Sequence, residues 1–67
     1  MILVRNNLKK IRTERGLSLG KLASQTKLSK TTLSLIESGY SDPRLSTVFK
    51  LCKVLNLQVE DIFPFMN

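Results

Sequence analysis

One thiol, no imidazole, five carboxylates and eleven cationic side chains make up the reactive inventory of this 67-residue chain. Without histidine there is no ordinary general base near neutral pH, and neither Cys52 nor any serine stands beside a recognisable activating group. A single cysteine cannot close an internal disulfide, and without histidine it falls short of a structural zinc site. Enzymatic and metal chemistry are therefore not expected, and no cofactor is implied. What remains is recognition of charge. The formal net charge is +6, which makes a polyanion the first partner to consider. The surplus is one-sided: residues 1–30 hold eight cations (Arg5, Lys9, Lys10, Arg12, Arg15, Lys21, Lys27, Lys30) against Glu14 alone, and the remainder is slightly acidic. Such asymmetry suits a surface that docks on a charged partner, or simply a solvated basic helix face.

These side chains need elements to hold them, and residues 1–67 suffice for one small domain only. With 42% apolar and 24% charged residues the chain has the composition of one that folds. Its longest apolar run, residues 1–4, is far shorter than the ~20 residues of a membrane span or the ~7–15 of a signal-peptide core. A cytoplasmic protein with no membrane partner is the expectation.

Periodicity predicts five short helices. Leu8, Ile11, Arg12 and Arg15 recur at steps of three and four, giving a helix over about 6–15 with Asn6 or Asn7 as its cap and Gly16 as its stop. Ser18 caps a second helix through Leu22, Ala23 and Thr26, weakened by Gly20 near its start. Ser29 caps a third over 30–38, with Leu33 and Ile36 inward and Gly39 as its exit. After the turn at Tyr40-Ser41-Asp42-Pro43, a fourth helix places Leu45, Val48, Leu51, Cys52 and Leu55 on an apolar stripe read as core. Leu57, Val59, Ile62 and Phe63 continue into a short fifth helix, ended by Pro64, with Glu60 and Asp61 in a first turn that favours negative charge. Ile2, Leu3 and Val4 at one end and residues 63–66 at the other are the only apolar segments left for a small two-stranded β-ribbon, the alternative being unpaired ends.

Two short helices meeting across three residues in a basic chain suggest a helix-turn-helix unit. Residues 19–38 resemble the twenty-residue helix-turn-helix element of the Cro and phage-repressor (C1-type) family, with Ala23 at the tight crossing, Leu28 in the turn and Leu33 and Ile36 inside. Leu17-Ser18, Ile36-Glu37-x-Gly39, Pro43 and Leu55-Asn56-Leu57-x-x-x-Asp61-Ile62-Phe63 extend the resemblance over residues 8–63. Asn6-Asn7-Leu8-Lys9-x-Ile11-Arg12 is also similar to very small bacterial repressors of the cytolysin-repressor type. The resemblance implies an all-α, five-helix, lambda-repressor-like DNA-binding domain.

It further implies that Lys30, Thr31, Ser34 and Leu35 face base edges in the major groove. Lys30 would donate to guanine, Thr31 would bond a base or touch a thymine methyl, and Leu35, where relatives often carry a polar residue, would meet a thymine methyl. Ser18, Lys21, Thr32, Ser38, Tyr40 and Arg44 fall at phosphate-contacting positions, with Arg44 alternatively entering a narrow minor groove. Leu19 stands where the family usually places glutamine, so the side-chain bond to phosphate is missing and only the backbone N–H remains. Arg12 and Glu37 match a structural ion pair between the first helix and the end of the third. Lys27 occupies a turn position often held by glycine, where a left-handed backbone costs about 1 kcal/mol or more. Cys52 reads as a small core residue rather than a redox sensor.

Ile62, Phe63, Phe65 and Met66 exceed what one small domain needs to cover, and the resemblance places a two-fold contact there. The expectation is a homodimer inserting two recognition helices into successive major grooves about 34 Å apart on a palindromic operator, with repression rather than activation the expected sign. Regulation is then expected through protein level, dimerisation or a separate protein partner. Leu19 and Leu35 support a rival reading as a protein-interaction module on the same fold, an antitoxin or antirepressor. A membrane-active basic peptide is disfavoured, because the apolar faces are divided among short segments.

Overall fold

The computed structural model describes residues 4–64. Five helices follow in order: α1 Leu8–Glu14, α2 Leu19–Thr26, α3 Lys30–Ser38, α4 Leu45–Leu55 and α5 Val59–Ile62. There is no strand among the described residues. The expected pairing of the termini involves residues 2–4 and 63–66, of which 2, 3, 65 and 66 lie outside the described residues. Within them, Val4 donates its backbone N–H to Gly39 O at 2.8 Å, and Asn7 donates to Ile62 O at 2.8 Å. The N-terminal segment is thereby fastened to the exit of α3 and to α5.

Local chemistry accounts for most helix ends. Ser18 Oγ accepts from Lys21 N and Ser29 Oγ from Thr32 N, each at 3.0 Å, satisfying amides that a helix start leaves unpaired. Gly39 exits α3 at φ 84°, with Gly39 N donating to Ile36 O and Tyr40 N to Leu35 O. At α1 the two expected cap residues divide the work. Asn7 holds the cap position without a side-chain bond, while Asn6 Oδ1 accepts from Leu8 N and Asn6 Nδ2 donates to Ile36 O at 2.7 Å. Asn6 thus joins the start of α1 to the end of α3.

Leu8, Leu22, Leu33, Ile36, Val48, Leu51, Leu55, Ile62 and Phe63 form the buried core, closed by Ala23 where α2 meets α3. Full burial of side chains of this size contributes roughly 1.5–3 kcal/mol each, which sets the helix arrangement. Two expectations are corrected. Leu45, assigned to the core stripe, is 68% exposed, because it opens α4 ahead of the Val48, Leu51 and Leu55 face that meets the other helices. Ile62 and Phe63, assigned to a dimer contact, are 0% and 1% exposed. The single turn of α5 packs against α4 and spends both side chains inside the domain.

Candidate nucleic-acid interface

The buried side of α3 decides which side chains face outward. Leu33 and Ile36 anchor it in the core, so Lys30, Thr31, Ser34, Leu35 and Ser38 share the exposed face, and Thr32 is half-buried beside them. Leu35 is 46% exposed on this face. The far end of α3 is held by Glu37, whose carboxylate takes Arg12 Nε at 2.6 Å and Nη2 at 3.3 Å. Arg12 Nη1 also donates to Leu17 O at 2.8 Å. The hydrogen bond that Arg12 donates to Glu37 raises the guanidinium pKa, against the opposing effect of burial. Arg12 is therefore a structural cation.

Arg15 is a second one, missed in the sequence. Its Nη1 donates to Leu55 O at the end of α4, where a cation complements the helix dipole. No local signal could have revealed a contact forty residues away.

Across α3 lies the start of α2. Leu22 N donates the first backbone bond to Ser18 O, and Lys21 N donates to the Ser18 hydroxyl. The amides of Leu19 and Gly20 precede that ladder and are left for an outside acceptor. Gly20 is also where the side chain of Lys30 lies: a Cβ there would stand 3.1 Å from Lys30 Cε and 3.6 Å from Nζ. The ammonium is thus carried towards the first turn of α2, away from the row formed by Thr31, Ser34 and Leu35. Gly20 had a readable signal, since glycine within a helix's first turns often marks close approach of another group. Leu19 is half-buried and packs on the core, so it does not offer an apolar group to a partner.

Lys27 closes α2 with φ 59° and ψ 32° in the left-handed region, donating its N–H to Ala23 O. Beyond α3, Tyr40 is exposed and Arg44 caps the extended approach to α4 without a side-chain cap bond. Thr32, Asp42, Arg44, Thr47 and Lys50 line a concavity of about 440 Å³ between α3 and α4. Ser38 Oγ donates to Leu35 O at 3.0 Å, so its hydroxyl proton is engaged within the helix. Ser18, Lys21 and Lys30 therefore gather at the start of α2, Thr32 and Arg44 beside α4, and Ser38 and Tyr40 at the exit of α3. No group of three or more metal-ligating side chains occurs among the described residues, and no helix there is long and apolar enough to cross a membrane.

A two-helix unit whose second helix is anchored inward and presents a polar, lysine-bearing face defines a helix-turn-helix DNA-binding domain. The chain belongs to the helix-turn-helix family, whose profile matches residues 8–62. It is 37% identical over 62 residues to the uncharacterized HTH-type transcriptional regulator MJ0272 of Methanocaldococcus jannaschii, covering 92% of this chain and 94% of that one. Its fold is similar to the restriction-modification controller protein C.AhdI from Aeromonas hydrophila, with a TM-score of 0.76 at 27% identity, covering 82% and 83% of the two chains. It is also similar to the biofilm master regulator SinR in complex with DNA, with a TM-score of 0.74 at 33% identity, covering 81% and 87%. The protein is a DNA-binding transcriptional regulator of lambda-repressor-like fold and not an enzyme.

Proposed function

We propose that the protein is a sequence-specific repressor that binds a palindromic operator as a homodimer. The observation that carries this reading is the exposed face of α3, held by buried Leu33 and Ile36 on one side and by the Arg12 and Glu37 pair at its end. Thr31, Ser34 and Leu35 read base edges. Lys30 reaches a guanine or, from its position over Gly20, joins the free amides of α2 on a phosphate. Ser18, Lys21, Thr32, Ser38 and Tyr40 contact the backbone, and Arg44 enters the minor groove or binds phosphate. Size supports the dimer. The described chain extends 28 Å at most, short of the ~34 Å between successive major grooves on one face, and carries one recognition helix.

Selection of bound sequences from random duplex DNA tests the reading. The expected result is a palindrome with half-sites one helical turn apart, and loss of its binding in the double variant Lys30→Ala, Thr31→Ala. Absence of any enriched palindrome, or undiminished affinity of the double variant, would overturn it. Exposed Leu35 favours the second reading, a protein-interaction module on the same fold, which predicts a protein complex that survives the double substitution.

A further inference from the structure

With Ile62 and Phe63 spent in the core, four large apolar side chains remain exposed on the described surface: Leu35, Tyr40, Leu45 and Phe49. The first two belong to the recognition helix and its exit. Leu45 and Phe49, 68% and 57% exposed, stand one turn apart on the same face of α4, and neither the core nor the DNA-reading face uses them. The two side chains adjoin on the helix surface and form one apolar patch on a small domain, the kind of surface that an interface is centred on.

The stripe has two unlike borders. Lys53 follows Phe49 by one turn and, with Lys50, forms a basic edge. On the other flank Cys52 separates the stripe from the buried face, and α5 lies beyond it. The first turn of α5, which packs against α4, carries Glu60 and Asp61; after burial, these two carboxylates raise the pKa of the Cys52 thiol. Asp61 is held by Gln58 N at 2.9 Å, while Glu60 is exposed.

We infer that Leu45 and Phe49 are the centre of a two-fold contact with a second copy of this chain, with Lys53 of each copy facing Glu60 of the other. This rests on the homodimer reading above and names its interface. Two geometric conditions choose the same symmetry axis. A two-fold axis parallel to α4 carries the acidic edge of one copy onto the basic edge of the other, whereas an axis perpendicular to α4 within the contact plane sets acid against acid. The parallel axis also keeps both Arg44 residues at one end of the dimer, side by side, where a single duplex can meet them. Two side chains per copy supply an apolar centre rather than a full interface of about 800 Å² per partner, so association depends on concentration.

Sedimentation of the full chain without DNA tests this, with thermal denaturation as the check on folding. The wild type is expected to show a reversible monomer–dimer equilibrium, and Phe49→Glu to raise its dissociation constant at least tenfold while keeping its Tm. Lys53→Glu and Glu60→Lys should each weaken the dimer, and their combination should restore it, because the exchanged edges still pair. A monomeric wild type, a dimer indifferent to Phe49→Glu, or a combined variant as weak as its parents overturns the inference. So does a lower Tm in Phe49→Glu at unchanged monomer mass, which would mean that the patch is covered within a single chain. The two readings fail separately. A dimer dissociated by Phe49→Glu that selects no duplex retains this interface and loses the repressor, whereas a selected palindrome bound by an intact Phe49→Glu dimer does the reverse.

Discussion

Arg12 and Glu37 tie the first helix to the end of the recognition helix through two hydrogen bonds, with side chains only 12% and 8% exposed. At that burial, removing one partner leaves an uncompensated charge, which costs more than the pair contributes. Glu37→Ala is expected to lose about 3 kcal/mol, a large part of the ~3–10 kcal/mol available to a chain of this length. Urea denaturation measures the loss. Arg12→Met with Glu37→Leu should recover much of it, though not the bond from Arg12 to Leu17 O. A Glu37→Ala variant as stable as wild type would mean that the pair does not position α3.

Lys27 holds a left-handed backbone with a β-carbon, a conformation that glycine adopts without steric penalty. Lys27→Gly is expected to stabilise the fold by about 0.5–1 kcal/mol, or roughly 4 °C in Tm. Asn56, at φ 55°, offers a control, because asparagine tolerates this region better and its replacement by glycine should gain less. Calorimetry on the two variants separates the effects.

The parts of this architecture written in local sequence were legible, and the parts decided by distant neighbours were not. Ser18, Ser29 and Gly39 mark helix ends through bonds within a few residues, and periodicity alone sends Leu33 and Ile36 inward. Periodicity gives a face but not the reach of what covers it: it groups Leu45 with Val48, yet Leu45 is 68% exposed at the start of α4. The apolar surplus near the C-terminus and the family resemblance point Ile62 and Phe63 at a partner, and a single turn of helix is too short for a period to show that both are buried. The position of Lys30 over Gly20 and the bond from Arg15 to Leu55 O depend on how helices cross. At the interface, the exposed row on α3 was readable from its spacing, while the grouping of Lys30 with the start of α2 was not.

Leu35 tests whether specificity rests on apolar contact. If its side chain meets a thymine methyl, replacing that thymine with deoxyuridine should weaken wild-type binding by about 0.8 kcal/mol, roughly fourfold. The same replacement should leave Leu35→Ala unaffected. Because Leu35 is 46% exposed, the substitution should scarcely change stability. Equal sensitivity of both proteins to the missing methyl would remove Leu35 from base readout.

Lys21 and Arg44 should differ in what their loss does. Lys21→Ala is expected to weaken binding to all duplexes alike and to reduce the slope of log affinity against log salt by about 0.9 per half-site. Arg44→Ala should do this and also remove any preference for A·T over G·C at the operator centre, since a narrow minor groove attracts arginine. Affinities measured between about 50 and 200 mM salt on both central sequences decide it. A retained central preference in Arg44→Ala would assign Arg44 to phosphate alone.

Cys52 makes the fold sensitive to alkali. Its thiol holds its proton more tightly in the folded chain, chiefly through burial and then through the nearby carboxylates of Asp61 and Glu60. Between the ordinary thiol pKa and the raised folded value, the unfolded chain binds fewer protons than the folded one. Stability therefore falls as pH rises through that window and is fully retained below it. Cys52→Ala removes the titrating group, so Tm followed from pH 7 to about 9.5 should decline less steeply in the variant. Burial, rather than the two carboxylates, is the leading cause, so adding Glu60→Gln should change the wild-type slope only slightly. Parallel profiles for wild type and Cys52→Ala would show that the thiol on this flank of α4 is as solvated when folded as when unfolded.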